Sequence, residues 1–417
     1  MALASAGFRV DLFEARPFPG GRATSFPLNP SEEGSELIDN CQHILLRCCV
    51  NLLDFYERLG VRDKVRFHRE FYFIEPGGRV SVLRRGRMPA PLHFTESFLR
   101  MRFLSARDKL SVARGLAALR RERLTRTDAH SISMLQWLLE KRQTPAAIER
   151  FWRQVLVSAV NEELDRMAAA YAFQVFWLGF LARSDSYEMG VPSVTLGELY
   201  AADAINRMEN VTVHLRTPVE RIEARGIATA DGILRTADFH VCALPFERLA
   251  GVGLPAPALE HSPITGIHFW FDRPVTDLPH ATLLDRTVQW MFNKSEGRHL
   301  QLVVSASRDL LEMSRADVIT VALGEVREFF PRARHAELLK AHVIKEVRAT
   351  FSARPGCEAL RPEPGAEILP NVFLAGDWTR SGWPATMEGA VRSGYRAAEA
   401  VAAASGEPRK FLLPDIA

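Results

Sequence analysis

The chain has 417 residues, 47% of them hydrophobic and 25% charged, with a formal net charge of +3. These proportions describe an ordinary globular protein with room for two domains, or for one doubly wound unit with an inserted partner. The charge is too small to argue for nucleic acid, five cysteines without a C-x-x-C spacing argue against a disulfide framework or a zinc site and fit a reducing cytosol, and the longest apolar stretch, near residues 171–182, is too short to span a bilayer.

In chain order, residues 1–6 read as the end of a helix stopped at Gly7. Residues 8–14 (FRVDLFE) then read as a strand closing on an acid, Glu14, with Arg16 and Gly20-Gly21-Arg22 after it. In a dinucleotide fold the acid that ends the second strand binds the adenosine ribose hydroxyls. Gly20 and Gly21 then permit backbone approach, Arg22 offsets pyrophosphate charge through a bidentate fork, and Arg16 flanks the same ribose or adenine. The Gly-rich fingerprint expected about 20 residues before that acid has no counterpart in residues 1–6. Two explanations stand: a start codon placed too late, or loss of the phosphate loop. On the first, the chain alone is expected to fold poorly and to hold its nucleotide weakly, because the missing strand is central in such a sheet.

Asp39, Gln42 and His43 enter an apolar run, Ile44-Leu45-Leu46. They read either as a satisfied helix start or as polar groups beside a ligand, and Asp39 with His43 are too few for a metal site. Residues 71–74 and 80–83 flank Pro76-Gly77-Gly78 as a hairpin. Residues 84–126 are rich in arginine with few acids, the pattern of a solvated helix face or of a binding surface, and Ser105 with Asp108 is spaced as a capping box. Phe173, Phe176, Trp177, Leu178 and Phe180 form an apolar stretch able to rest on a membrane. Residues 211–214 and 219–222 alternate like strands, and residues 238–245 read as a buried strand ended by Pro245. Strand-like runs follow at 264–271, 288–292 and 300–305, then a helix over 314–330.

The C-terminal block says most. Residues 372–375 read as a buried strand running into Gly376-Asp377, then a small-residue loop, then a helix with Ala390, Val391, Gly394, Ala397, Ala398 and Val401 on one side. A strand ending in Gly-Asp before a helix N-terminus is suited to a phosphate or a polyol. Glycine admits backbone, aspartate accepts from hydroxyls, and the free N–H groups of the helix supply partial positive charge.

This block and the Gly-Gly-Arg near the head resemble the flavin-binding motifs of the amine oxidase and carotenoid desaturase superfamily. The resemblance implies FAD as cofactor, with Asp377 at its ribityl–pyrophosphate region and Val219 at the adenine through its backbone. Gly376 and Met387 are then expected to act through backbone N–H groups, the latter near the flavin N1–C2 carbonyl. A narrower likeness rests on GGRATSF (20–26), DNCQHILL (39–46), VPSVTLGELY (191–200), HFWFDRP (268–274), LLDRTVQWMFNK (283–294), VVSASR (303–308), VIKEVRATFS (343–352) and SGWPATMEGAVRSG (381–394). Together they resemble the hydroxysqualene dehydroxylases; Cys41 departs from that pattern where Gly is expected.

The resemblance implies an α/β chain with a split Rossmann-like FAD-binding domain (residues 1–59, 192–250 and 346–417) and an inserted α+β substrate domain. The insertions are residues 60–191, mainly helical, and residues 251–345, sheet plus helix. It implies a cytoplasmic enzyme in squalene and hopanoid biosynthesis that takes hydroxysqualene, a long-chain isoprenoid, to squalene and water with reduced FAD, in peripheral contact with a membrane. Hydroxide leaves badly, so an acid is expected near the oxygen, positioned by Asp39 or His43. Trp270, Trp290, Trp378 and Trp383 are available either to face a cation or to fill the core. Alternative readings are an oxidative desaturase of a carotenoid-type polyisoprenoid, or a non-catalytic lipid-binding relative that has lost its flavin; an amine substrate suits the apolar insertion less well.

Overall fold

The computed structural model describes residues 1–416 apart from 30, 32, 33, 202, 203 and 206. The part expected to bind a nucleotide is built from two parallel pairings. Val10–Phe13 pairs in register with Val211–His214, and His240–Cys242 pairs with Val372–Leu374, which takes antiparallel Glu367–Leu369 on its other side. The expectation of a buried strand at 238–245 holds only for Cys242: Val241 is 39% exposed. The reason is position, because His240–Cys242 is an edge strand of its sheet.

The C-terminal helix, Met387–Ala404, is capped by Thr386, whose hydroxyl accepts from the Gly389 N–H at 3.1 Å. Its buried side is rotated from the expected one. Ala390 is exposed, while Glu388, Arg392, Ser393 and Tyr395 are buried along with Ala397, Ala398 and Val401. Polar partners drive the rotation. Glu388 accepts from the Asn51 and Leu52 N–H groups at 3.3 and 2.7 Å, so it caps the helix Val50–Leu59, and Arg392 reaches Asp415 at 2.8 Å.

A seven-stranded sheet forms the other part, in the order Leu338–Phe351, His261–Phe271, His299–Ser305, Trp290–Ser295, His280–Leu283, Glu70–Glu75, Arg79–Arg84. The hairpin expected near residue 76 is present, and it completes the sheet of the second insertion, so the two insertions share one body. The expected edge at residue 345 falls inside Leu338–Phe351, a 14-residue strand. Sequence periodicity missed that strand because most of its residues are half-buried rather than alternating.

One face of the sheet packs on the helix Arg315–Phe329, with Val318, Ala322, Val326 and Phe329 meeting Phe269, Leu283, Met291 and Leu302. The opposite face is closed by the helical insertion, where Phe151, Trp152, Leu156 and Phe176 join Phe71, Phe73, Trp290 and Phe292 in one apolar cluster. Ser105 and Asp108 make both bonds of the capping box that opens Ala106–Glu122. Among the described residues no helix is long and apolar enough to cross a membrane.

Candidate functional site

Strand ends and loops bring the head and tail motifs together. Arg22 donates through Nη2 to Asp377 Oδ1 at 2.5 Å and through Nη1 to the Ala349 carbonyl at 3.1 Å. Just before Arg22, Gly20 takes φ +112°, and a Cβ there would lie 2.5 Å from the Ala23 carbonyl oxygen. Gly376 takes φ +138°, and a Cβ there would collide with the Trp378 indole. Both positions therefore require glycine on geometric grounds. The Gly376 N–H is already given to Ser393 Oγ at 2.8 Å, so the expected contact through that N–H is closed and what Gly376 offers is a bare Cα.

Glu14 follows Val10–Phe13 directly, its carboxylate accepting from the Arg16 N–H at 2.8 Å. Arg16 folds back on Gly21, giving Nη1 to its carbonyl at 2.9 Å, so Glu14, Arg16 and Gly21 form one turn. Val219 opens a strand, Val219–Glu223, that pairs antiparallel with Gly226–Thr229. Met387 is the first residue of the capped C-terminal helix, and its sulfur accepts from Tyr200 Oη at 3.3 Å.

The loop 39–43 lies between this region and the sheet. Asn40 Nδ2 donates to the Arg22 carbonyl at 2.8 Å. Asp39 is buried with its carboxylate fully engaged: Oδ1 accepts from Ser25 Oγ at 2.7 Å and from the Leu196 N–H at 2.9 Å, and Oδ2 faces Lys294 Nζ at 3.3 Å. Lys294 gives a second bond to Gln42 Oε1 at 3.0 Å. His43 Nδ1 meets the Cys41 carbonyl at 3.0 Å, and burial pulls its pKa below the usual histidine value. Burial also pushes the Cys41 thiol up to about 12, which keeps it neutral.

The sheet meets the loop through strand His261–Phe271. A Cβ on Gly266 would lie 2.9 Å from the Asn40 carbonyl oxygen, and His268 Nε2 meets the Asp39 carbonyl at 3.1 Å. On the same face, cross-strand register aligns Thr282 with Trp290 and His280 with Phe292, and Phe292 with Gln301. Sequence reading passed over His280 and Thr282, because a four-residue buried strand, HATL, carries no period. The expected tryptophans do not converge. Trp290 lies on this aromatic face, whereas Trp270 donates to exposed Glu36, Trp378 to the Leu244 carbonyl and Trp383 to Asp415.

The donor set fits a flavin dinucleotide. An acid in a turn after a parallel strand and an arginine beside an aspartate supply the polar partners that ribose, pyrophosphate and ribityl groups need, on turns whose shape only glycine at 20 and 376 allows.

Comparison with known proteins agrees. The family model for flavin-containing amine oxidoreductases matches residues 1–402. The chain is 24% identical over 447 residues to 15-cis-phytoene desaturase of Synechococcus elongatus, covering 97% of this chain and 93% of that one. It is 40% identical to hydroxysqualene dehydroxylase of Sinorhizobium fredii over 147 residues, 35% of this chain and 34% of that one. Among solved structures, an oxidoreductase from Methanosarcina mazei superposes with a TM-score of 0.69 at 16% identity, covering 94% of both chains.

Proposed function

We propose that this chain, which belongs to the flavin-containing amine oxidoreductase family, is an FAD-dependent enzyme that reduces the allylic alcohol hydroxysqualene: alcohol and reduced FAD give squalene, water and oxidised FAD. The flavin supplies the hydride; the chain must hold a long hydrocarbon, keep water out and stabilise the cation left as the C–OH bond breaks.

The observation that carries the reading is the aromatic sheet face. Phe71, Phe73, Trp290 and Phe292 are closed over by Phe151, Trp152 and Phe176 in a single buried cluster. Ring faces stabilise an allylic cation without removing a proton from it, as a base would. The 40% identity with a hydroxysqualene dehydroxylase, over a third of the chain, supports the same reading. Asp39 and His43 act in it as positioning residues. Asp39 ties Lys294 of the sheet, Ser25 and the Leu196 backbone together, while His43 braces the loop 39–43 from within through the Cys41 carbonyl.

A second reading has a specific observation in its favour: the chain-long likeness to 15-cis-phytoene desaturase, which makes an oxidative desaturation of a polyisoprenoid its rival. Anaerobic mixing separates them. Reduced enzyme with hydroxysqualene is expected to reoxidise its flavin and yield squalene. Failure of that reaction, together with new double bonds in a hydrocarbon given to the oxidised enzyme, selects the rival.

The substrate reading brings a membrane with it, and the chain carries a matching surface. Arg107, Leu110, Arg114, Ala117 and Arg121 recur at helical spacing along Ala106–Glu122 and continue to Leu124, all of them exposed. Leu110 is 52% and Leu124 77% exposed. Lys109 binds the carbonyl of exposed Leu99 at 2.7 Å, and Arg123 covers the Trp177 ring at 3.7 Å; the apolar stretch expected to rest on a membrane does not belong to this surface, because Phe173, Phe176 and Leu178 are buried in the core. Alternating leucine and arginine on an exposed face suits an anionic bilayer, with the chains immersed and the guanidinium groups at the phosphates.

A further inference from the structure

The aromatic face is not purely apolar. His280 and Thr282 are 0% and 1% exposed, and Gln301 is 0% exposed. His280 Nδ1 and Nε2, Thr282 Oγ1 and Gln301 Oε1 are all buried without a hydrogen-bond partner among the described residues. Such groups are rare in folded proteins, and a cluster of them calls for a ligand that completes it.

Their placement is specific. His280 and Thr282 are two residues apart on one strand and so share a face. His280 stands among rings, 5.0 Å from His68, 6.2 Å from Phe71, and 6.4 Å from both Trp290 and Phe292. Gln301 Nε2 donates to the Asp39 carbonyl at 3.4 Å, which ties the cluster to the loop beside the Arg22–Asp377 pair.

We infer that His280 and Thr282 form the hydroxyl-binding site for an isoprenoid alcohol, so that this face selects a long-chain substrate bearing an OH group over the corresponding hydrocarbon. The inference rests on the dehydroxylation reading and names the side chains that make it selective. Burial holds His280 neutral, its pKa lowered to about 3, so the ring offers one N–H donor and one bare nitrogen. An alcohol offers one donor and two lone pairs, and Thr282 Oγ completes the set. A hydrocarbon leaves all of these atoms unpaired, and a site built to bind a hydroxyl discriminates strongly against an analogue that lacks it.

The test uses oxidised holoenzyme, which has no hydride to give and therefore binds without turnover. Hydroxysqualene and squalene are titrated from the same detergent micelles, and the flavin absorbance change is read. The wild-type protein is expected to bind the alcohol at least about tenfold more tightly than the hydrocarbon. Thr282→Val, which keeps shape, and His280→Gln are each expected to shrink that ratio several-fold with squalene affinity little changed. A general loss of structure would lower both affinities together, and Thr282→Val keeps the test open should His280→Gln fail to fold. An unchanged ratio in folded Thr282→Val and His280→Gln overturns the site while leaving the dehydroxylation reading standing. Equal wild-type affinity for the two lipids also overturns the site, and binding of neither overturns both.

Discussion

Arg22 and Asp377 are 355 positions apart in sequence, and their side chains meet at 2.5 Å. The pair joins the Gly-Gly-Arg turn near the head to the Gly-Asp turn near the tail, and the Asp377 side chain is 12% exposed. Asp377→Ala is therefore expected to weaken FAD binding by about ten- to a hundredfold, the usual worth of a charge-assisted hydrogen bond together with the arginine left unpaired beside it. Arg22→Lys keeps the charge but loses the fork and is expected to fall between wild type and Asp377→Ala. Flavin retained per protein after desalting, and titration of the apoprotein with FAD, give the measurement; full retention in Asp377→Ala defeats the assignment.

Glu388 makes a prediction about stability alone. It is 1% exposed, and its carboxylate satisfies the Asn51 and Leu52 N–H groups and Asn51 Nδ2. Glu388→Ala removes a helix cap and leaves buried donors unpaired, at a cost of about 2–4 kcal/mol. Denaturant unfolding of Glu388→Ala and Glu388→Gln reads this out, and the amide is expected to recover part of the loss. Equal midpoints for wild type and Glu388→Ala are incompatible with the cap.

On the proposed reading, Asp39 and His43 set the rate by positioning the loop 39–43. Asp39→Asn removes the counter-charge of Lys294 while keeping the side-chain volume, and His43→Ala frees the Cys41 carbonyl. In an anaerobic single turnover with hydroxysqualene, each variant is expected to reoxidise its flavin at least about tenfold more slowly at equal flavin content. Rates equal to wild type in both variants remove the loop 39–43 from the chemistry.

The parts that were legible in the sequence are those whose chemistry is local. Glu14 after a strand, Gly20, Gly376-Asp377 before a helix, the Pro76-Gly77-Gly78 hairpin and the Ser105–Asp108 box each announce themselves within a few residues, because turns, caps and close approaches select residue types at fixed spacing. Long-range pairing was not legible. That the hairpin at 70–84 would complete a sheet made mostly of residues 261–351 depends on which edges meet, and periodicity carries no such information. The polar pair His280–Thr282 was hidden for a related reason. In a fully buried four-residue strand, histidine and threonine look like any satisfied core polar group until their missing partners are seen.

Buried histidines give the protein an acid sensitivity of defined sign. His93 and His268 are pulled down to about 4, and His280 and His299 to about 3, in each case chiefly by burial. In the unfolded chain the same rings titrate near 6.5. Between those values the unfolded state binds more protons than the folded one. The stability these groups contribute is thus complete above pH 6.5 and is lost as pH falls through the window toward 3–4. Urea midpoints are expected to be level from pH 8 to 7 and to decline from about pH 6.5 downward, before ordinary carboxylates titrate. His299→Gln, with one of these rings gone, is expected to decline less steeply; a midpoint that stays level between pH 7 and pH 5 rules the mechanism out.

The exposed stripe on Ala106–Glu122 predicts a lipid dependence that can be measured without any turnover. Residues 84–126 carry Arg114, Arg120, Arg121 and Arg123 among their many arginines, against Glu96, Asp108 and Glu122 as the acids. Asp108 is spent on the capping box, and Glu122 on Lys141 and Trp137. What faces outward is cationic with leucines between, so binding needs both an anionic surface and an apolar interior. The protein is expected to sediment with phosphatidylglycerol vesicles and not with phosphatidylcholine vesicles, and to be released as salt rises. Leu110→Ser with Leu124→Ser, and separately Arg114→Glu with Arg121→Glu, are each expected to lower vesicle affinity at least about tenfold: the first pair removes apolar burial, the second reverses attraction worth about 1 kcal/mol per charge. Unaltered sedimentation of both double variants overturns the assignment of this face as the lipid contact.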